Sequence, residues 1–104
     1  MMYFNWFYES LKEEIDGAMT YAKMAIELKA MNDKMSKTFY DMAVQEGEHA
    51  KHLFQMSLDY YDKITSVYNP SEIPTYLTDI KEKIVDCYTS KSVEMKLLFS
   101  MYKD

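Results

Sequence analysis

The chain has 104 residues, of which 48% are hydrophobic, so it is long and apolar enough to form one domain with a modest core and is not a disordered segment. Its formal net charge is −5 and all 12 of its basic residues are lysines, which argues against the arginine-based recognition of guanine and phosphate that DNA-binding proteins use. Its single cysteine, Cys87, excludes an internal disulfide and a zinc or iron–sulfur site built from cysteines.

Nothing in the sequence directs the chain to a membrane. No apolar run approaches the roughly 20 residues that a membrane-spanning helix requires. Residues 1–8 also lack the basic segment and the small-residue cleavage site of a signal peptide. We therefore expect a cytoplasmic protein that binds neither membranes nor nucleic acids.

Helix-breaking residues divide the chain in two places. Both prolines lie in the segment Asn69–Pro74, and a weaker polar break lies at Met31–Lys34. Since runs that alternate like β-strands are absent, we predict a single all-α domain over residues 1–104. The few residues at the weaker break predict that the first two helices form an antiparallel hairpin. The three predicted helices lie near residues 5–30, 33–65 and 72–102.

Each predicted helix carries a stripe of residues at the 3.6-residue spacing of a buried face. In the first helix the stripe is Phe4, Phe7, Leu11, Glu14 or Ile15, Ala18, Tyr21 or Ala22, Ala25 and Leu28. In the second it is Met35, Phe39, Met42, Glu46, His49, Leu53, Met56 and Tyr60. In the third it is Tyr76 or Leu77, Ile80, Ile84, Cys87 or Tyr88, Leu97 or Leu98 and Met101. The third helix should begin near Ser71 or Ile73, with Pro74 in its first turn.

Three polar side chains interrupt the first two stripes. Glu46 and His49 are three residues apart, so both project from one face of the second helix, and Glu14 lies on the facing helix. With the turn centred near residue 32, a rise of ~1.5 Å per residue places the three side chains within about one helical turn of the same level. Acids on an apolar stripe must be paired, protonated or metal-bound. A carboxylate and an imidazole inside a helix bundle form a ligand set for a transition metal.

The two glycines of the chain fall beside these acids. Gly17 and Gly47 each cost a helix interior about 1 kcal/mol relative to alanine. We therefore expect that another group approaches the backbone closely at this level.

Other interpretations stay open. Glu-x-x-His occurs often by chance in helical proteins, Glu14 can pair with a lysine of a neighbouring helix, and His49 can be a core histidine bonded to a tyrosine hydroxyl. We expect His52 to be exposed or to support a ligand rather than to bind metal itself, and Glu48 to be solvated.

Residues 9–60 resemble the rubrerythrin and ferritin-like family of di-iron carboxylate proteins. In that family a ligand glutamate of the first bundle helix is followed seven residues later by a tyrosine, as Glu14 is here by Tyr21. The second helix of the family carries Glu-x-x-His, which Glu46 and His49 match. The resemblance implies that Glu14, Glu46 and His49 bind iron, with His52 as a weaker candidate and manganese or zinc as alternative metals.

The chain contains only half of the ligands of such a site. A complete ferritin-like four-helix bundle supplies four carboxylates and two histidines, and two copies of this chain related by a two-fold axis would supply the same number. This arrangement is similar to the half-length, encapsulated ferritins, so we expect a homodimer or a higher even-numbered oligomer and leave an enclosing compartment open. The third helix has no histidine, and a contribution from its acids stays open; they are Asp79, Glu82, Asp86 and Glu94.

The resemblance implies a ferroxidase or a peroxide-dependent iron oxidase. Tyr21 would then donate a hydrogen bond to a ligand or an electron to the reaction, although it can equally be a plain core residue. A metal-binding protein without turnover and a metal-free helical interaction module are the other two functions that the sequence allows.

Overall fold

The computed structural model describes residues 2–104, apart from the side chain of Met2. These residues form three α-helices and contain no β-strand, which confirms the all-α prediction. The helices pack into a rod of 57 × 18 × 15 Å. None of the described helices combines the length and apolar character that crossing a membrane requires. The helices are α1 (Met2–Leu28), α2 (Asp33–Thr65) and α3 (Thr75–Lys103), and a short 3-10 helix occupies Pro70–Glu72.

The turn between α1 and α2 lies where the sequence predicts it. The side chain of Asn32 accepts a hydrogen bond of 3.0 Å from the backbone N–H of Met35, which satisfies one of the free donors at the start of α2. α2 therefore has the predicted bounds, whereas α1 ends at Leu28, two residues earlier than predicted.

The start of α3 was predicted three residues too early. Pro70–Glu72 forms its own 3-10 turn, and Pro74 occupies the cap position of α3 rather than its first turn. Ile73, which precedes Pro74, is extended with ψ of 125°. The ring of a proline disfavours helical backbone at the preceding residue, so Ile73 cannot belong to α3, which begins at Thr75 after the cap residue Pro74.

The interface between α1 and α2 combines four large apolar side chains and three alanines of α1 with mostly small side chains of α2. Many of the buried α2 residues recur every seven positions, the spacing of closely packed helix pairs. The hydroxyl of Ser36 donates a 2.5 Å hydrogen bond to the carbonyl oxygen of Ala25 across this interface. The buried residues are Phe4, Phe7, Leu11, Ile15, Ala18, Ala22 and Ala25 of α1, and Ser36, Ala43, Ala50, Ser57, Tyr61 and Thr65 of α2.

The stripe predicted for α2 is only partly buried, with Leu53 and Tyr60 packed against the core. None of the eight residues in its predicted stripe is buried, and Met35 and Met56 are 48% and 53% exposed. The stripe predicted for α1 left two positions open. Ile15 rather than Glu14, and Ala22 rather than Tyr21, is the buried residue there. Small side chains are buried in α2 because they let the two helix backbones approach closely, which size-based patterning overlooks.

α3 packs along one side of the hairpin, parallel to α1 and antiparallel to α2. Lys91 of α3 forms an ion pair with Asp16 of α1, with 2.5 Å between Nζ and Oδ1. The Tyr88 ring of α3 stacks on Phe54 of α2 with 4.1 Å between centroids. α3 makes more extensive contact with α1 than with α2.

The predicted stripe of α3 is correct in the first half of the helix; in the second half Leu98, one of the two alternatives, is half-buried. Leu77 and Ile84 are buried, but Leu97 and Met101 are 61% and 49% exposed. The stripe of buried positions continues through Ser92 and Met95 instead.

The side of the hairpin opposite α3 is uncovered. Three hollows on this side are lined only by residues of α1, α2 and their connecting turn. We call this surface the open face. Its members are Tyr3, Trp6, Glu14 and Tyr21 of α1, and Met35, Phe39, Met42, Glu46, His49 and Met56 of α2.

Candidate metal centre

Glu14, Glu46 and His49 meet in the middle of the open face. One ligand atom of each residue lies within 4.8 Å of the other two, and Glu14 Oε2 is 3.6 Å from His49 Nδ1. The three residues therefore lie at one level of the hairpin, as the calculation from the position of the turn predicts. We call them the ligand cluster.

One oxygen of the ligand cluster lacks a partner. With both carboxyls ionised, Glu14 Oε2 is buried and accepts no hydrogen bond from any described residue, and its 3.6 Å separation from His49 Nδ1 is too long for one. A buried carboxylate oxygen without a donor is unfavourable unless a proton or a cation compensates it. A metal ion between these side chains would supply that compensation.

The two carboxyls hold a proton near neutral pH. Hydrogen bonding to Glu14 raises the pKa of Glu46 from 4.5 to about 7; burial and the negative charge of Glu14 act in the same direction, while His49 opposes them. Two adjacent carboxylates cannot both ionise easily without a positive charge beside them. A divalent cation that binds here would displace the proton and neutralise both side chains.

The two glycines pack against different neighbours. A Cβ atom on Gly17 would lie 3.5 Å from Glu46 Oε2, so the cluster carboxylate packs directly against the backbone of α1. A Cβ atom on Gly47 would lie 3.2 Å from the Sδ atom of Met95 in α3. The expected close approach beside the acids therefore holds for Gly17, whereas Gly47 permits the packing of α3.

The ligand cluster borders a hollow of about 380 Å³. His52 lines this hollow and is exposed, but it is not part of the converging group. Trp6 and Met56 form its apolar rim and are 54% and 53% exposed. The imidazole of His49 is itself 60% exposed, so a second molecule would have access to the cluster.

Tyr21 lies on the open face beyond the cluster. Its ring stacks on Phe39 with 6.0 Å between centroids. No hydrogen bond from its hydroxyl reaches the buried Oε2 atom of Glu14.

The acids of α3 do not join the cluster. Within residues 2–104, the converging group consists of one glutamate of α1 and one glutamate and one histidine of α2. α3 packs on the other side of the hairpin, so a single chain supplies no ligands from α3. The excluded acids are Asp79, Glu82, Asp86 and Glu94.

A comparison with protein families finds the same family that the sequence of the first two helices resembles. The family model described as Rubrerythrin matches residues 6–103, which is nearly the whole chain. The chain belongs to the rubrerythrin family. Membership extends the resemblance seen over residues 9–60 to include α3, and proteins of this family typically hold a di-iron centre. No curated protein and no solved structure matches the chain.

Proposed function

We propose that this member of the rubrerythrin family binds two iron ions between two copies of the chain and oxidises ferrous iron there. The observation that supports this proposal most strongly is the convergence of two carboxyls and one imidazole on a face that the chain's own third helix leaves uncovered. When both carboxyls are ionised, one buried glutamate oxygen of this cluster has no hydrogen-bond donor. The cluster supplies half of the expected ligands, and the open face allows the other half to come from a second copy.

The donor set fits iron. Glu14 and Glu46 offer hard carboxylate oxygens, and His49 offers an imidazole nitrogen, a combination typical of non-haem iron. Two copies would contribute four carboxylates and two imidazoles, the ligand set of a di-iron carboxylate bundle. Iron bound there would supply one-electron exchange with dioxygen or hydrogen peroxide.

The side chains of the cluster also prepare the site for a cation. Because the pKa of Glu46 is about 7, its proton can leave near neutral pH when a cation binds. Gly17 leaves the Glu46 carboxylate room beside α1. Trp6 and Met56, on the rim of the hollow, would exclude water once a second copy covers them.

The overall reaction balances without another reductant or oxidant. Two ferrous ions lose one electron each, and hydrogen peroxide takes up both electrons and two protons to give two water molecules. With dioxygen as the acceptor, the same two electrons and two protons give hydrogen peroxide. Iron is in this sense the substrate, and the protein holds the ions and receives or releases the protons.

The apolar residues of the open face support a two-fold dimer. Large exposed apolar surfaces on small proteins mark interfaces, and here they flank the ligand cluster on both sides. Trp6 and Met56 lie towards one end of the hairpin, and Met35 lies towards the other. A second hairpin packed antiparallel on this face would complete a four-helix bundle and bring two ligand clusters together.

The proposal is tested by removing ligands while keeping the fold. We expect the protein and a matched Glu48→Ala variant to bind about one iron ion per chain, whereas Glu46→Ala and His49→Ala should bind less than about a tenth of that amount. Glu48 is a suitable control because it is exposed and lies between the two ligands in sequence. The measurement is iron content by elemental analysis after ferrous loading without oxygen.

Oxidation is measured on the same samples. Addition of air or hydrogen peroxide should convert the bound ferrous iron in the wild type and in the control, with consumption of the oxidant in the ratio given above. Unchanged iron binding in both ligand variants would refute the site. Stoichiometric binding in which the iron stays ferrous would refute the oxidation and favour a storage role.

A further inference from the structure

A second concave surface lies between α2 and α3, on the side of α2 away from the ligand cluster. It is a groove of about 410 Å³, and we call it the α2–α3 groove. Its floor is apolar: Val44 and Phe99 are half-buried, and Met95 is buried. It exists because α3 packs more closely on α1 than on α2.

The rim of the α2–α3 groove is basic although the chain is acidic. Lys51, Lys96 and Lys103 line it together with one acid, Glu48, giving a local charge of +2 on a chain whose net charge is −5. Among the described residues, none of these three lysines takes part in an ion pair. The ammonium groups are therefore available to an anion.

Aromatic pairs hold the two ends of the groove. The Tyr40 ring stacks on Tyr102 with 4.1 Å between centroids and meets Phe99 edge-on at 5.6 Å. The Tyr88 ring at the other end stacks on Phe54 at 4.1 Å with an interplanar angle of 4°. These contacts fix the walls before any ligand arrives, which lowers the entropic cost of binding.

The hydroxyl of Tyr88 remains a hydrogen-bond donor at neutral pH. Burial raises the pKa of this hydroxyl, and the negative charge of Glu48 raises it further. The groove thus offers a neutral donor beside its cationic rim.

We propose that the α2–α3 groove binds a small organic anion with an aromatic body. The ring would lie on the floor at Val44 and Phe99, and a carboxylate, phosphate or sulfonate group would contact Lys51 and Lys96. This site goes beyond the iron chemistry, since it faces away from the ligand cluster and uses none of its residues.

The size of the groove favours a small molecule over a protein segment. Its volume of about 410 Å³ falls in the range of ~300–1,000 Å³ typical of small-molecule sites. From Tyr40 to Lys51 it extends about 16 Å along α2 at ~1.5 Å per residue. A partner helix, with a diameter of ~10–12 Å, would need a longer and more apolar surface.

The test uses naphthalene-2-sulfonate as the probe, because it combines an aromatic body with an anion. Its affinity for the full chain is measured by calorimetry beside 2-naphthol, which lacks the anion, and sulfate, which lacks the ring. We expect the probe to bind roughly tenfold more tightly than either one. Its affinity should also fall as salt is raised, because the rim charges are exposed.

Matched variants locate the bound probe. The double substitution Lys51→Gln and Lys96→Gln should weaken binding by roughly tenfold, while Lys63→Gln, an exposed lysine of α2 outside the groove, should leave it unchanged. Met56→Glu, on the open face, should also leave it unchanged.

Three results would overturn the proposal. They are the absence of saturable binding of the sulfonate, an equal affinity for 2-naphthol, and loss of binding in the Met56→Glu variant but not in the double lysine variant. None of them bears on iron content, so the two proposals fail separately.

Discussion

α2 has two sides that are built differently. The side that packs against α1 is lined by small residues at seven-residue intervals, such as Ala43 and Ala50, which are fully buried. The open face carries the larger apolar side chains, and Met56 on it is 53% exposed. The comparison shows that the most hydrophobic stripe of a helix is not always the one that its own chain buries. Small residues set the distance between helices within the chain, and the larger apolar residues of the open face stay partly exposed.

The largest expected effect comes from placing a charge on the open face. Met56→Glu should weaken self-association by at least about a hundredfold, because it buries a carboxylate in an apolar interface, and it should lower iron content with it. Val93→Glu is the matched control, since Val93 is 67% exposed on α3. Molar mass from light scattering, together with helix content from circular dichroism, measures the effect. Identical masses for the two variants would show that the open face is not the interface between copies.

The two glycines lie next to different sides of α2: Gly17 of α1 faces the Glu46 carboxylate, and Gly47 of α2 faces Met95 of α3. Gly47→Leu should destabilise the fold by about 1–3 kcal/mol, because it overpacks the contact with Met95. Gly17→Ala should stabilise the apo-protein by up to about 1 kcal/mol, because its Cβ meets the Glu46 carboxylate at an ordinary 3.5 Å and alanine favours the helix. Urea unfolding of both variants gives these values. A large loss of stability in Gly17→Ala would contradict the assignment of free space beside the cluster.

The smallest expected effect concerns the proton held in the ligand cluster. The pKa of Glu46 is raised from 4.5 to about 7 in the folded chain, so the folded state binds more protons than the unfolded state in that range. Stability of the metal-free protein should fall as pH rises from about 4.5 to 7 and level off above it. Glu46→Gln removes the ionisable carboxyl and with it this loss of stability. The variant should therefore be more stable than the wild type by about 1 kcal/mol at pH 8, and the partial solvent exposure of Glu46 limits the gain.

Thermal unfolding in the presence of a chelator, at pH 5 and pH 8, measures this difference. The advantage of Glu46→Gln over the wild type should be larger at pH 8. An advantage that is equal at both pH values would mean that the two carboxyls do not repel each other in the folded chain.

Local rules were enough to predict the hairpin and the ligand cluster. The N-cap at Asn32 fixes the start of α2, and a constant rise per residue then puts Glu14 level with His49. These quantities depend on positions along one or two helices, which the sequence displays directly.

What the sequence did not reveal depends on where α3 packs. Nothing local indicates that Gly47 faces Met95 rather than the acids, or that Leu97 and Met101 stay exposed. The small residues of α2 are buried because the backbones of α1 and α2 approach closely, which depends on the packing of whole helices. The α2–α3 groove follows from the same packing, so no motif in the sequence points to it.

The connecting turn at residues 29–32 also sets the order in which the protein can assemble. Closing so short a loop loses little chain entropy, and local contacts form faster than distant ones. The pair of Asp16 and Lys91, by contrast, joins residues 75 positions apart. During synthesis from the N-terminus, the hairpin with all three residues of the ligand cluster can therefore form before α3 is available to pack against it.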